Sequence, residues 1–244
     1  MNEIRALILS EAKLLVRDPI SWLAAIVLPS AILLIFGSIF APHRPDPALG
    51  GLRWIDTFAP SLVVITTATL AIQTLPIRLA TYREKGILRR LSTTPARPTG
   101  LLVAQLVIYS VTAVLGLILL VIVGKIAFDI PLPGNPIGYI AAFGLGMAGL
   151  LAIGLLLAAV APSAGVATAI AVPLFFVVMF LGGVYLPRFL LPEVLVTIGD
   201  FTPPGVQGLQ DAWLGSAPQL LPLAVLAGIT LVVGVVASRA FRWE

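Results

Sequence analysis

Ionisable side chains are crowded into a few short clusters along this chain, and the gaps between the clusters are long. With histidine neutral, charge-free stretches lie at 19–43, 57–77, 98–124, 130–187 and 212–238, of 25, 21, 27, 58 and 27 residues. A helix crossing roughly 30 Å of hydrocarbon at about 1.5 Å per residue needs about 20 apolar residues. Four stretches therefore hold one span each. The longest holds two, divided at Pro162-Ser163-Ala164-Gly165, a turn-prone cluster. Predicted spans are 22–40, 58–75, 101–123, 137–161, 166–186 and 218–237 of the 244 residues. Charged residues make up 11% of the chain, against about 25% in a soluble domain. A water-soluble globule and a disordered tail are both excluded. The expected fold is an all-α integral membrane protein forming a single membrane domain over 1–244.

Lysine and arginine set the expected orientation. With both termini inside, the cytoplasmic side carries eleven of them, in 1–18, 78–100 and after the last span. The outer side carries four, Arg44, Arg53, Lys125 and Arg188. That bias matches the positive-inside rule and an even number of spans. The basic pI near 9.9 thus belongs to loops at a membrane surface, and no nucleic-acid partner is expected. Glu3, Glu11 and Asp18 precede the first apolar run, unlike the basic start of a cleavable signal peptide.

Several chemistries lack their residues. There is no cysteine, so no disulfide, zinc-thiolate site or thiol nucleophile can form. The only histidine, His43, falls in an outer loop, and no acid, base or histidine sits near the centre of a span. Ion-coupled carriers and intramembrane hydrolases need such groups at depth. No GxxxxGK[S/T] phosphate loop occurs. No catalytic residue, metal site or bound cofactor is expected, and energy for uphill movement would come from another chain.

Three segments carry more than anchoring. In 1–18, Ile4, Leu7, Ile8, Leu14 and Leu15 share one helical arc, with Ser10, Lys13 and Arg17 opposite. This predicts an amphipathic helix in the inner interface, touching lipid headgroups and stopping before Pro19, because the residue ahead of a proline is pushed out of the α region. In 78–100, Ile87, Leu88 and Leu91 share an arc opposite Arg83, Lys85, Arg89 and Arg90. Glu84 falls on the apolar arc, as Glu11 does on the first helix; an acid there is costly unless paired. Both are expected to be buried, with Arg78 or another cation as partner. Gly86 either admits another chain closely or ends a helix. In 187–217, short apolar runs alternate with proline and glycine, and Glu193–Ile198 is too short to span. A re-entrant or interfacial helix is expected there, serving as a gate or as a structural cap.

Together these segments resemble the permease subunit of type-2 ATP-binding-cassette exporters, especially the bacterial drug and antibiotic-resistance permeases. Glu11, Arg17-Asp18-Pro19 and Pro29 resemble that family's interfacial elbow. Tyr82-Arg83-Glu84-Lys85-Gly86-Ile87-Leu88-Arg89-Arg90-Leu91 followed by Thr94-Pro95 resembles its inner-loop signature. Gly182-Gly183-Val184-Tyr185-Leu186-Pro187, Leu191-Pro192 and Pro203 resemble its pattern after the fifth span.

The resemblance implies two permease subunits (the same chain or a related one) and two copies of a separate ATPase that binds ATP and magnesium. It implies multi-pass residence in the bacterial cytoplasmic membrane and export of a hydrophobic or amphiphilic cargo: drug, antibiotic, lipid or lipid-linked glycan. Arg83, Glu84, Lys85, Gly86, Arg89 and Arg90 would then couple to the ATPase, and Gly183, Pro187, Pro192 and Pro203 would form the outer gate. Pore-lining residues would come from the second and fifth spans. Polarity picks out Thr66, Thr67, Thr69, Gln73 and Thr74, on more than one helix face; hydroxyls in spans otherwise bond their own backbone. Gly144, Gly146, Gly149 and Gly154 are expected to be packing positions. A non-transporting scaffold that recruits a partner through the basic loop is the alternative reading.

Overall fold

The computed structural model describes residues 2–39, 51–92, 98–185 and 191–241. Of the expected landmarks, His43, Arg44, Thr94-Pro95, Arg97, Pro187, Arg188 and Arg242 lie outside the described residues. The regular structure described is entirely helical: α1 (Asn2–Val16), α2 (Pro19–Ile39), α3 (Trp54–Ala68), a π-helical segment (Thr69–Thr74), α4 (Leu75–Glu84), α5 (Ile87–Ser92), α6 (Pro98–Phe128), α7 (Pro136–Val160), α8 (Ala164–Leu181), α9 (Glu193–Phe201), α10 (Val206–Trp213) and α11 (Leu220–Ala240). Among the described residues, six continuous helical stretches are long and apolar enough to cross a membrane. They alternate in direction. The end that gathers α1, α5 and the α7–α8 turn is called the inner end below, after the charge bias.

The second span is the central one and differs most from its predicted 58–75. It runs unbroken as Trp54–Glu84, and every residue from Phe58 to Ala68 is buried. Its inner extension carries Arg78 and Arg83 because both find partners there, as described below. By contrast α2, α6, α8 and α11 turn broad apolar faces outward, such as Val107, Val111, Leu115, Ile118 and Ile122 on α6. Such faces suit lipid, where no hydrophobic force penalises them. The fifth span stops at Leu181, short of 186, where Gly182 caps α8 and Gly183 adopts φ +70°.

Glycines on α7 admit backbone where a side chain would block it. A Cβ on Gly146 would run into the Pro204 carbonyl, and one on Gly149 would lie 2.8 Å from Pro203 Cγ. Gly154 meets the Ala71 carbonyl of the π-helical segment. Gly144 has nothing within 4 Å, so it is open and not a packing position. Gly146 and Gly149 lie ten and thirteen residues below Pro136, about 15–20 Å along the helix. Since α10 returns to bond Asn135 N–H to the Ala212 carbonyl at 2.9 Å, α9 and α10 form a hairpin that dips from the outer end to mid-bundle. Backbone at that depth is tolerated because protein surrounds it.

At the outer end Arg53 joins the second and third spans. Its guanidinium donates to Asp56 at 2.7 and 2.8 Å, to the Phe128 carbonyl at 2.9 Å and to the Asp129 carbonyl at 3.1 Å. A cation thus meets the carbonyl end of α6, where the helix dipole favours it. Asp56 is buried. Arg53→Met is expected to cost about 2 kcal/mol by stranding that carboxylate, seen as a lower melting midpoint in detergent. Lys125→Ala, at an exposed pair with Asp129, is the control and leaves the midpoint in place.

Candidate functional site: the inner junction and the apolar cavity

The inner junction is assembled on consecutive turns of α4. Glu11 sits on the face of α1 that packs on α6, between Leu7 and Leu15, and is 4% exposed. The Tyr82 hydroxyl lies 3.0 and 3.1 Å from its two oxygens, and Gln105 Nε2 donates at 2.6 Å. Arg78 Nε stands 4.0 Å from the carboxylate and donates to the Tyr82 oxygen at 3.2 Å. Burial pushes the Glu11 carboxyl above the usual carboxylate range, and Tyr82, Arg78 and Gln105 draw it back. Glu11 is therefore the buried, partnered acid expected on α1.

Glu84 is not buried. It is exposed, and Oε1 accepts from the Ala164 N–H at 3.0 Å, so its partner is a helix N-terminus and not a cation. Arg83 Nη1 donates to the Ala161 carbonyl at 2.7 Å, at the C-cap of α7, and the guanidinium lies 5.4 Å from the Phe241 ring centre. A cation at one helix's C-terminus and an anion at the next helix's N-terminus both complement the macrodipoles. Arg83 and Glu84 thus clamp the α7–α8 turn from the inside.

Gly86 has φ +66° with open space around it. It ends α4 through backbone conformation and does not serve close approach within this subunit. The chain therefore changes direction at Gly86, and one helical wheel cannot describe both sides of it. Beyond the turn, α5 buries Leu88 at 1% exposed and presents Arg89 and Arg90 outward, and Lys85, at the end of α4, is exposed as well. At the elbow, α1 ends at Val16, with the Arg17 and Asp18 amides bonded back to Lys13 and Leu15. Pro19 opens α2 at the first helical position, which needs no N–H.

Nearer the outer end, α2, α3 and α8 border a half-open cavity of about 540 Å³ lined by Leu28, Ile32, Phe58, Phe175, Met179 and Tyr185, among others. Among the described residues, its lining carries no charged group. One wall is an aromatic stack: Trp54 on Phe58 at 4.4 Å between ring centres, with Phe36 6.0 Å from Phe58. At the other side Tyr185 stacks on Phe176 at 6.1 Å. Thr66, Thr69 and Gln73 do not line it. Thr66 is buried against Gly116 of α6. Thr69 and Gln73 are half-buried in the π-helical segment, where Thr74 Oγ1 donates to the Thr69 carbonyl at 3.0 Å. Of the residues expected at an outer gate, Gly183 is buried in the turn after α8, Pro192 caps α9 and Pro203 packs against Gly149.

Sequence reasoning named Tyr82 as part of the inner-loop pattern but missed its bond to Glu11, and it missed Gln105 and the cavity. A phenol at the inner edge of a span and a glutamine at the start of the third span were visible, but nothing in their spacing joins them to Glu11. The cavity's residues are ordinary span residues until the helix rotations are known.

The chain is 26% identical over 210 residues to a Bacillus subtilis (strain 168) protein named "Putative transport permease YvfS", covering 83% of this chain and 81% of the relative. The family described as ABC-2 type transporter matches residues 2–204. From α1 to the re-entrant hairpin, the chain belongs to the ABC-2 type transporter family as a multi-pass membrane permease.

Proposed function

We propose that the chain is the membrane-spanning subunit of an ATP-driven exporter of hydrophobic or amphiphilic cargo. It would sit with both termini cytoplasmic in the bacterial inner membrane, paired with a second permease subunit and two copies of a separate ATPase that holds ATP and magnesium. One observation carries this reading: a single helical stretch, Trp54–Glu84, forms an aromatic wall of the apolar cavity at one end and leads directly into the basic helix α5 at the other. A helix so placed can turn displacement of α5 into a change of shape at the cavity. The cavity's chemistry selects the cargo class, since an apolar, aromatic lining gives an ion no compensation for its lost hydration. The relative's description as a transport permease supports the same reading.

The test is purification from the native host in mild detergent, with and without Lys85, Arg89 and Arg90 changed to Ala. A P-loop ATPase is expected to accompany the wild-type chain, and its recovery to fall at least tenfold in the triple variant with the melting midpoint unchanged. A well-folded wild-type preparation with no ATPase overturns the exporter reading and favours a scaffold.

A further inference from the structure

We infer that Tyr82 is a positioning residue for coupling: through Glu11 it makes the first helix, α1, move together with α5 and the α7–α8 turn. The inference rests on the coupling reading of α5 given above. Residues 82 and 84 are two apart on a helix, about 200° around its axis. One side of α4 is therefore bonded to α1 and α6, through Arg78, Tyr82, Glu11 and Gln105. The other side is bonded to α7 and α8, through Arg83 and Glu84, and the guanidinium of Arg83 rests on Phe241 beyond α11.

The joint to α5 is short and bonded. Lys85 N–H reaches the Thr81 carbonyl, Gly86 N–H the Arg83 carbonyl and Arg90 N–H the Gly86 carbonyl, all at 3.0 Å. Leu88 is buried as well. Little slack remains between α5 and the last turn of the second span, so a displacement of α5 is passed to both sides of α4.

The polar character of the α1 side is the informative part. A buried carboxylate is an inefficient way to hold helices together, because desolvation offsets most of its attraction and apolar replacements are often as stable. Directional bonds do something that apolar packing does not: they fix one relative placement of two helices. Tyr82 suits that role because its one hydroxyl accepts from Arg78 and donates to Glu11.

The chain contains no cysteine, so a single reporter can be placed without background. Tyr185→Cys puts a thiol at the mouth of the cavity, on a residue 52% exposed. Its labelling rate with a membrane-impermeant maleimide is measured on the complex purified with its ATPase, with and without ATP plus vanadate. In the reporter background the nucleotide is expected to change the rate at least fivefold. Adding Tyr82→Phe, which removes the donor, or Glu11→Met, which removes the acceptor, is expected to reduce that response below twofold while the ATPase still co-purifies and hydrolyses ATP. The double variant is expected to lose no more than either single one, since both remove the same bond.

An undiminished response in both single variants overturns the inference. Loss of ATPase co-purification in both marks Tyr82 as a folding residue and overturns it as well. A reporter background that binds ATPase yet shows no nucleotide response overturns the coupling reading, and the role of Tyr82 with it.

Discussion

Replacing Gly154 by valine is expected to cost at least about 3 kcal/mol and to remove most of the protein from the monodisperse fraction in detergent. The position is in mid-α7, where a Cβ would run into the carbonyl oxygen of Ala71 and lie 3.3 Å from Leu75 Cδ2. Overpacking a core costs about 1–3 kcal/mol when side chains can yield. Here the obstruction is backbone, so α7 must move off the second span along its length. No hydrophobic force between helices offsets that loss inside lipid, where close contact itself holds helices together. The carbonyl concerned belongs to the π-helical segment, whose wider turn changes which groups face α7. Gly144→Val is the control, because nothing lies within 4 Å of its Cβ position. Equal melting midpoints and yields for the two variants would show that α7 does not pack on the second span as described.

Gly144 and Gly154 look alike in the sequence, and their difference shows where legibility stops. The six spans were legible because burying a charge in hydrocarbon is so costly that charge-free windows mark them directly. Arg78 misled by closing the second window early. It is tolerated inside the helix because Tyr82 and Glu11, 71 residues apart, supply its surroundings, and no local pattern announces a partner that distant. Glu84 was misjudged for two physical reasons. The wheel was carried through Gly86, where the backbone turns, and a carboxylate that caps another helix's N-terminus needs no cationic partner that a sequence would show. The threonines of the second span drew attention by polarity, yet Thr67 donates to the carbonyls of Val63 and Val64 in its own helix. The cavity is built instead from apolar and aromatic residues of three helices, and its existence depends on their relative rotation. The re-entrant hairpin was legible as punctuation. Its depth was not, because that is set by Gly146 and Gly149 on another helix.

Arg83→Ala is expected to separate the basic loop into two parts with opposite phenotypes. Its guanidinium makes a charge-assisted hydrogen bond to the Ala161 carbonyl, worth about 1.5–3 kcal/mol, and lies over Phe241, worth about 0.5–1 kcal/mol more. Removing both is expected to lower stability by about 3 kcal/mol, to loosen the α7–α8 turn, and to leave ATPase recovery within twofold for the protein that remains folded. Arg83→Lys keeps the charge but loses the planar group that covers the ring, so it falls between. Arg89→Ala and Arg90→Ala should behave in the reverse way. They are exposed on α5, and each is expected to weaken ATPase capture more than it lowers the midpoint. The measurements are melting midpoint and ATPase recovered per folded permease, made on the same preparations. If Arg83→Ala kept its midpoint and lost the ATPase, Arg83 would belong to the docking face. The clamp on the α7–α8 turn would then contribute nothing to holding the inner end together, and displacement of α5 would reach the cavity through the second span and α1, without α7 and α8.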